Sequence, residues 1–184
     1  MFSVYANAFK VKDIRRKLFY ILLVLLIFRI GSHIPLPGLD MGMLYAAGLG
    51  QTQTIVNMIV GGDMGTVFAM GIGPYITASI IMQLLTVAVP QLEQLKKDGE
   101  EGRKKINQYT RVLAVIMAVL QGAGTVFSLR FVFVHQNLFV YFLAALTMIA
   151  GSMFIMWLSE LLTERAIGNG ASFIIFANIL TGLP

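Results

Sequence analysis

The chain has 184 residues, 57% hydrophobic and 12% charged, with a net charge of +5. Soluble domains average about 45–50% apolar and about 25% charged residues, and a soluble fold of this length could not hide so much apolar side chain. The absence of cysteine excludes disulfides, thiolate nucleophiles and cysteine-ligated metals, which leaves a membrane-embedded chain as the class to pursue.

In chain order, Lys10, Lys12, Arg15, Arg16 and Lys17 precede a first apolar run, Leu18–Pro35. A membrane helix needs about 20 mostly apolar residues, and this run qualifies with one internal charge, Arg29. Its flank, RIGSHIPLPG, offers no small-x-small cleavage site, so it reads as a span and not as a cleaved signal. An ionisable residue inside a span is a functional hypothesis by default, set here against the plainer reading of a buried anchor bonded within the bundle.

The next region, Leu36–Gly73, has no Lys or Arg. Within it TIVNMIV, Thr54–Val60, could make two helical turns, which is too short to span, and Gly61 and Gly62 would end them. Pro74 suits a first helical turn, and PYITASIIMQLLTVAV should run as a helix to Pro90. The result is a broken membrane segment: a short half-helix, a glycine-rich link and a longer half. Irregular backbone at membrane depth costs several kcal/mol for each unpaired polar group, and it is tolerated only inside protein or beside a water-filled cavity. The alternative is an ordinary external loop with flexible glycines.

The stretch QLEQLKKDGEEGRKKINQYTR, residues 91–111, mixes both charge signs. It reads as a solvated inner loop that sets topology, with helix extending below the membrane and breaks near Gly99 and Gly102. Val112–Leu129 and Leu138–Leu158 are uncharged spans, and Ala171–Leu183 begins a fifth. Eleven of the 14 basic residues lie in the N-terminal and 91–111 segments. The positive-inside rule therefore places the N-terminus and that loop inside and Leu36–Gly73 outside. This distribution accounts for the charge without nucleic acid, and no basic stripe is interleaved with aromatics.

Catalytic chemistry finds no support. Paired aspartates, a Ser–His pair or HExxH on a span are missing, so no enzyme, catalytic residue or cofactor is expected. His33 and His135 are far apart without a carboxylate cluster, which argues against a metal. Glu160 and Glu164 share a helix face and read as snorkelling at the inner interface beside Arg165, too weak a pair for acid–base work. Gly168 and Gly170 read as a tight inner turn.

The strings GSHIPLPG, GIGPYITASIIMQLLTVAVP, KKDGEEGRKKINQYTR and LTERAIGNGASFIIFANILTGLP resemble, in order and over nearly the whole chain, the N-terminal part of the SecY family of protein-conducting channels. The resemblance implies an all-α, polytopic membrane helix bundle of ten helices in two inverted halves, of which residues 1–184 match the first. Its spans would fall at about 18–35, 74–90, 112–130, 138–160 and 171–184, with a plug region at about 54–65. Such a channel threads unfolded polypeptide through an hourglass pore or releases apolar segments sideways into lipid.

By the same resemblance, a ring of apolar side chains forms the waist, with Ile72 and Ile76 from GIGPYI and Ala171 and Ile175 from IGNGASFII. Position 171 is usually a larger aliphatic, so Ala171 weakens that part of the ring. The half-helix Ile55, Val56, Asn57, Met58, Ile59, Val60, Gly61 and Gly62 matches the plug. Gln83, Gln121 and Asn169 are candidates for a polar cluster near the lateral gate, or each simply bonds a neighbouring helix. Likewise, Ile72 and Ile76 lie four apart, which is also ordinary packing on one helix face.

Implied partners are the remaining half of the subunit, small single-span SecE-like and SecG-like subunits, a ribosome or the motor ATPase SecA, the translocating polypeptide and membrane lipids. The implied site is the bacterial cytoplasmic membrane, multi-pass, with a cytoplasmic N-terminus. An apolar constriction can exclude water and ions by dewetting. An uncharged plug can leave without stranding a charge. The competing class is a small-solute channel or transporter built on a broken helix, which would need polar groups converging at the midplane, where Arg29 alone is charged.

Overall fold

A computed structural model describes residues 12–46, 65–134, 137–165 and 169–182, and every α or 3-10 element among them is helical. The sequence-derived plug, Ile55–Gly62, and His135 lie outside the described residues. The first helix, α1 (Lys12–Gly31), buries Ile21, Val24 and Phe28 at i, i+3 and i+7. Phe19, Leu22, Leu26 and Ile30 on its other face stay exposed, as suits lipid and not water.

This helix stops four residues short of Pro35. Pro35 has no N–H to give the Gly31 carbonyl. The Ser32 hydroxyl donates to the Arg29 carbonyl at 2.8 Å, and His33 Nδ1 lies 2.8 Å from the same oxygen and must therefore carry the proton. Arg29 accordingly sits in the last turn, where a cation complements the helix dipole, and not at mid-helix as the apolar run suggested.

The segment after α1 is tied down by backbone pairing. Leu36 N–H donates to the Gly65 carbonyl at 2.7 Å and Val67 N–H to Ile34 at 3.0 Å. Asp40 N–H donates to Val132 and Val134 N–H to Gly38. Asp40 Oδ1 then accepts from Gly42 N–H at 2.8 Å, which caps the short α2 (Met41–Ala46).

Residues 65–72 are consecutive turns, with Ala69, Gly71 and Gly73 N–H groups donating to Thr66, Phe68 and Met70 carbonyls. Gly65 and Gly71 supply the positive φ these turns require, +99° and +52°. Phe68 is buried and stacks between Phe28 of α1 and Phe154 of α6, with ring centroids 5.8 and 6.1 Å away. Residues 65–72 of the glycine-rich link are thus packed inside protein, one of the two conditions for irregular backbone at membrane depth.

Helix α3 (Gly73–Ala88) carries Pro74 in its first turn, where proline was expected to open it. At Pro90 the chain does not pass into a loop. It turns through 99° into α4 (Pro90–Lys97). Helix α5 (Glu100–Ser128) then runs 29 residues, about 43 Å at 1.5 Å per residue. It exceeds a hydrocarbon core of about 30 Å and absorbs most of the expected inner loop. Its small side chains Thr110, Ala114, Ala118 and Gly122 fall every fourth residue on one buried face, packed against α3 and α6.

A 3-10 turn (Arg130–Val132) leads to α6 (Leu138–Arg165). Asn169 Oδ1 accepts from Ala171 N–H at 3.0 Å and Thr163 Oγ1 from Gly170 N–H at 2.9 Å, which starts α7 (Gly170–Gly182). By length and composition α5 and α6 can each cross a membrane, and the bent α3–α4 pair can add a third crossing. The basic residues at the start of α1 and the 13 residues of α7 keep those two outside that test.

Candidate functional site

The four residues of the expected apolar ring come from two helix starts. Ile72 caps α3 with φ −88° and ψ 0°, and its carbonyl accepts from Ile76 N–H at 3.1 Å. Ala171 and Ile175 repeat the i, i+4 relation one turn into α7. One hydrophobic cluster contains all four, with Val24 and Phe28 of α1 and Ile155, Leu158 and Leu162 of α6.

Within the cluster the four are not equivalent. Ile72 is fully buried and Ala171 nearly so, whereas Ile76 and Ile175 are partly exposed at its margin. Among the described residues Ile72 therefore serves as core, and Ile76 and Ile175 present the outward apolar edge. No charged side chain belongs to the cluster, where Tyr75 brings the one polar tip, so what it can do chemically is exclude water. Among the described residues no group of His, Asp or Glu could hold a metal ion.

Gln83, Gln121 and Asn169 make local bonds on three different elements. Gln83 Nε2 donates to Ser79 Oγ at 3.3 Å on α3, and the Gln121 backbone carbonyl accepts from the Thr125 hydroxyl at 2.8 Å on α5. Asn169 caps α7. Among the described residues no hydrogen bond joins these three side chains.

The sequence reading missed a cross-helix ion pair. Arg111 Nε of α5 lies 2.7 Å from Glu160 Oε1 of α6, with the glutamate 17% exposed. Glu160 therefore pairs across the helix interface instead of snorkelling beside Arg165, whose guanidinium sits 5.8 Å over the Tyr20 ring. The available signal was depth. Both residues border the same ends of apolar runs on consecutive antiparallel helices, which places opposite charges level.

At the charged end of the helices, Lys97 Nζ lies 2.7 Å from Glu93 Oε1 on α4. Hydrogen bonding and charge from Lys97 hold the Glu93 carboxyl below its ordinary value. A cavity of about 240 Å³ opens between α3, α4 and α5, with Lys96 and Arg103 at its rim and Gln83, Thr86, Asn107 and Thr110 among its walls.

Comparison with known proteins gives one answer throughout. The SecY family model matches residues 66–184. The protein translocase subunit SecY of Streptomyces scabiei is 44% identical over 204 residues, an alignment that covers 100% of this chain and 46% of that protein. The chain thus spans a little under half the length of this curated relative. Among solved structures, one described as a protein conducting channel superposes with a TM-score of 0.69 at 24% identity, covering 93% of this chain and 38% of that one. Sec61 in the canine ribosome-channel complex from the endoplasmic reticulum gives the same TM-score and coverage.

Proposed function

Because the chain belongs to the SecY family, we propose that it forms the N-terminal half of a channel passing unfolded polypeptide across the bacterial cytoplasmic membrane. The observation that supports the proposal is the junction of two apolar helix starts in one uncharged cluster, fed by turn-built backbone packed against it. Ile76 and Ile175 supply the exposed apolar lip of the constriction, with Ile72 and Ala171 holding it from behind. Aliphatic side chains bind no particular sequence and let water retreat from a narrow waist. The missing half of the ring, the far wall of the lateral gate and the surfaces for a ribosome or SecA fall to the remainder of the subunit. SecE-like and SecG-like subunits clamp the assembled halves.

Residues 55–62 act as the plug, displaced outward when a polypeptide enters. Segments leave sideways by transfer free energy: a leucine or isoleucine gains about 0.3–0.6 kcal/mol at a helix centre, and a lysine or aspartate costs about 2.5–3.5. Gln83, Gln121 and Asn169 belong to the gate wall in the assembled channel. The N-terminus lies in the cytoplasm, on the side of the two basic segments.

The test is photocrosslinking in the complete subunit, with a secretory polypeptide stalled in transit. Probes at Ile76 and Ile175 should capture the stalled chain, and probes at the exposed positions Val115 and Val119 of α5 should capture lipid. Capture of polypeptide only from the α5 positions overturns the assignment.

A further inference from the structure

The two helix starts that carry the ring residues are held differently. At α7, Asn169 Oδ1 and Thr163 Oγ1 accept from the Ala171 and Gly170 N–H groups and fix the first turn. At α3, Ile72 makes no side-chain cap and follows directly on the turn at Gly71. Packing must therefore set the rotation that decides where Ile76 points. Tyr75 lies between Ile72 and Ile76 in the chain. It packs against the cluster that holds Ile72 and Ala171, and also against a second cluster built on Ala78, Ala114 and Met156. Its ring thus joins the apolar junction to the interface of α3, α5 and α6.

The polar end of Tyr75 meets the Arg111–Glu160 ion pair, and both charges act on its phenol. Arg111 is the last charged residue along α5 and Glu160 the first along α6. Glu160 falls between Leu158 and Leu162, which are buried in the same cluster as Ile72. The pair therefore stands near the level of the junction and not among the charges that begin α5. Ionisable side chains at membrane depth are expensive and mark functional positions by default. A tyrosine packed among apolar groups keeps its hydroxyl where a polar partner stands, and the ion pair is that partner.

We propose that Tyr75 is a positioning residue for the channel waist. The Arg111–Glu160 pair holds its phenol, and Tyr75 in turn holds the first turn of α3 so that Ile76 faces the passage. The inference rests on the channel reading above and deepens it, since Tyr75 acts through Ile76.

The experiment reads a nitroxide at position 76 by power saturation in the complete, membrane-embedded subunit. The Y75F variant keeps the aromatic packing and removes the hydroxyl. The R111Q/E160Q variant removes both charges together, so neither is left buried alone. Each should shift the label away from a water-soluble relaxation agent and toward oxygen. A label at the exposed position 84 of α3 should not move. Combining Y75F with R111Q/E160Q should add nothing further, because the three side chains form one line of support. General loosening of the bundle would instead move both labels and add across the variants. That pattern, or an unmoved label at 76 in either variant, overturns the proposal. If the label already meets oxygen and not the water-soluble agent in the unsubstituted subunit, the channel reading falls and the inference with it. A label that behaves as expected there but ignores both variants defeats the inference alone.

Discussion

Replacing Gly151 with alanine tests how the irregular segment is held. Gly151 lies mid-way along α6, and a Cβ built there overlaps the Val67 carbonyl oxygen and stands 3.0 Å from the Val67 carbonyl carbon and Cγ1. The obstacle is mostly backbone, so no rotamer change relieves it. Overpacking of this kind costs about 1–3 kcal/mol. Alanine itself favours a helix over glycine by about 0.8–1.0 kcal/mol, which would mask part of the cost. Gly124 on α5 supplies the control: an added Cβ there meets nothing within 4 Å. The propensity gain is common to both positions, so the difference between G151A and G124A isolates the contact at about 1–3 kcal/mol. Thermal denaturation of the complete subunit in nanodiscs measures it, and hydrogen exchange should show faster exchange at residues 66–73 in G151A only. Equal melting of the two variants would mean that the 65–72 turns do not rest on α6.

Other consequences are as direct. A double-mutant cycle on R111Q and E160Q should give a coupling of about 1–2 kcal/mol. With Arg111 48% and Glu160 17% exposed, the pair falls between exposed pairs near about 0.2–1 and buried ones near about 3–5. Melting curves that show additive single variants would contradict it. The G102A variant drives a Cβ into the Leu95 carbonyl, so it should change the α4–α5 geometry, read as an altered spin-label distance between the two helices. For Glu93, the depressed carboxyl means that its bond to Lys97 is complete above the ordinary value of 4.5 and fades as pH falls through the lower folded value. An NMR titration should place the Glu93 midpoint below 4.5 in the native protein and nearer to it in K97Q.

Much of the helical order was legible because its signals are local. Pro74 announced the start of α3, and the uncharged runs marked the cores of α5 and α6. The boundaries were less legible, since hydropathy measures lipid preference and a helix end is decided by hydrogen bonds. Leu18–Pro35 is apolar throughout apart from Arg29, yet α1 ends at Gly31 because Pro35 cannot donate. Residues 91–111 read as a solvated loop with some helix and breaks near Gly99 and Gly102, but α5 runs unbroken through Gly102, since its charged side chains there can reach water. The 99° turn at Pro90 needed the packing of α4 on α5.

Site residues divide the same way. That Ile72, Ile76, Ala171 and Ile175 share a cluster depends on α3 and α7, far apart in the chain, both packing against α6. Spacing could give each i, i+4 pair and not their meeting. Arg111 and Glu160 are separated by 49 positions, so only the antiparallel pairing of α5 and α6 reveals them as partners. Gln83, Gln121 and Asn169 are alike in chemistry, yet the Gln83 and Asn169 side chains each bond within their own element and no hydrogen bond joins the three among the described residues.

The most direct measurement is the environment of nitroxide labels at positions 76 and 175 in the complete, membrane-embedded subunit. Power saturation should show both labels, at membrane depth, reached by a water-soluble relaxation agent and shielded from oxygen, with a label at position 120 showing the reverse. Labels at 76 and 175 that respond like the one at 120 would mean that those isoleucines face acyl chains and that no aqueous passage borders the glycine-rich turns.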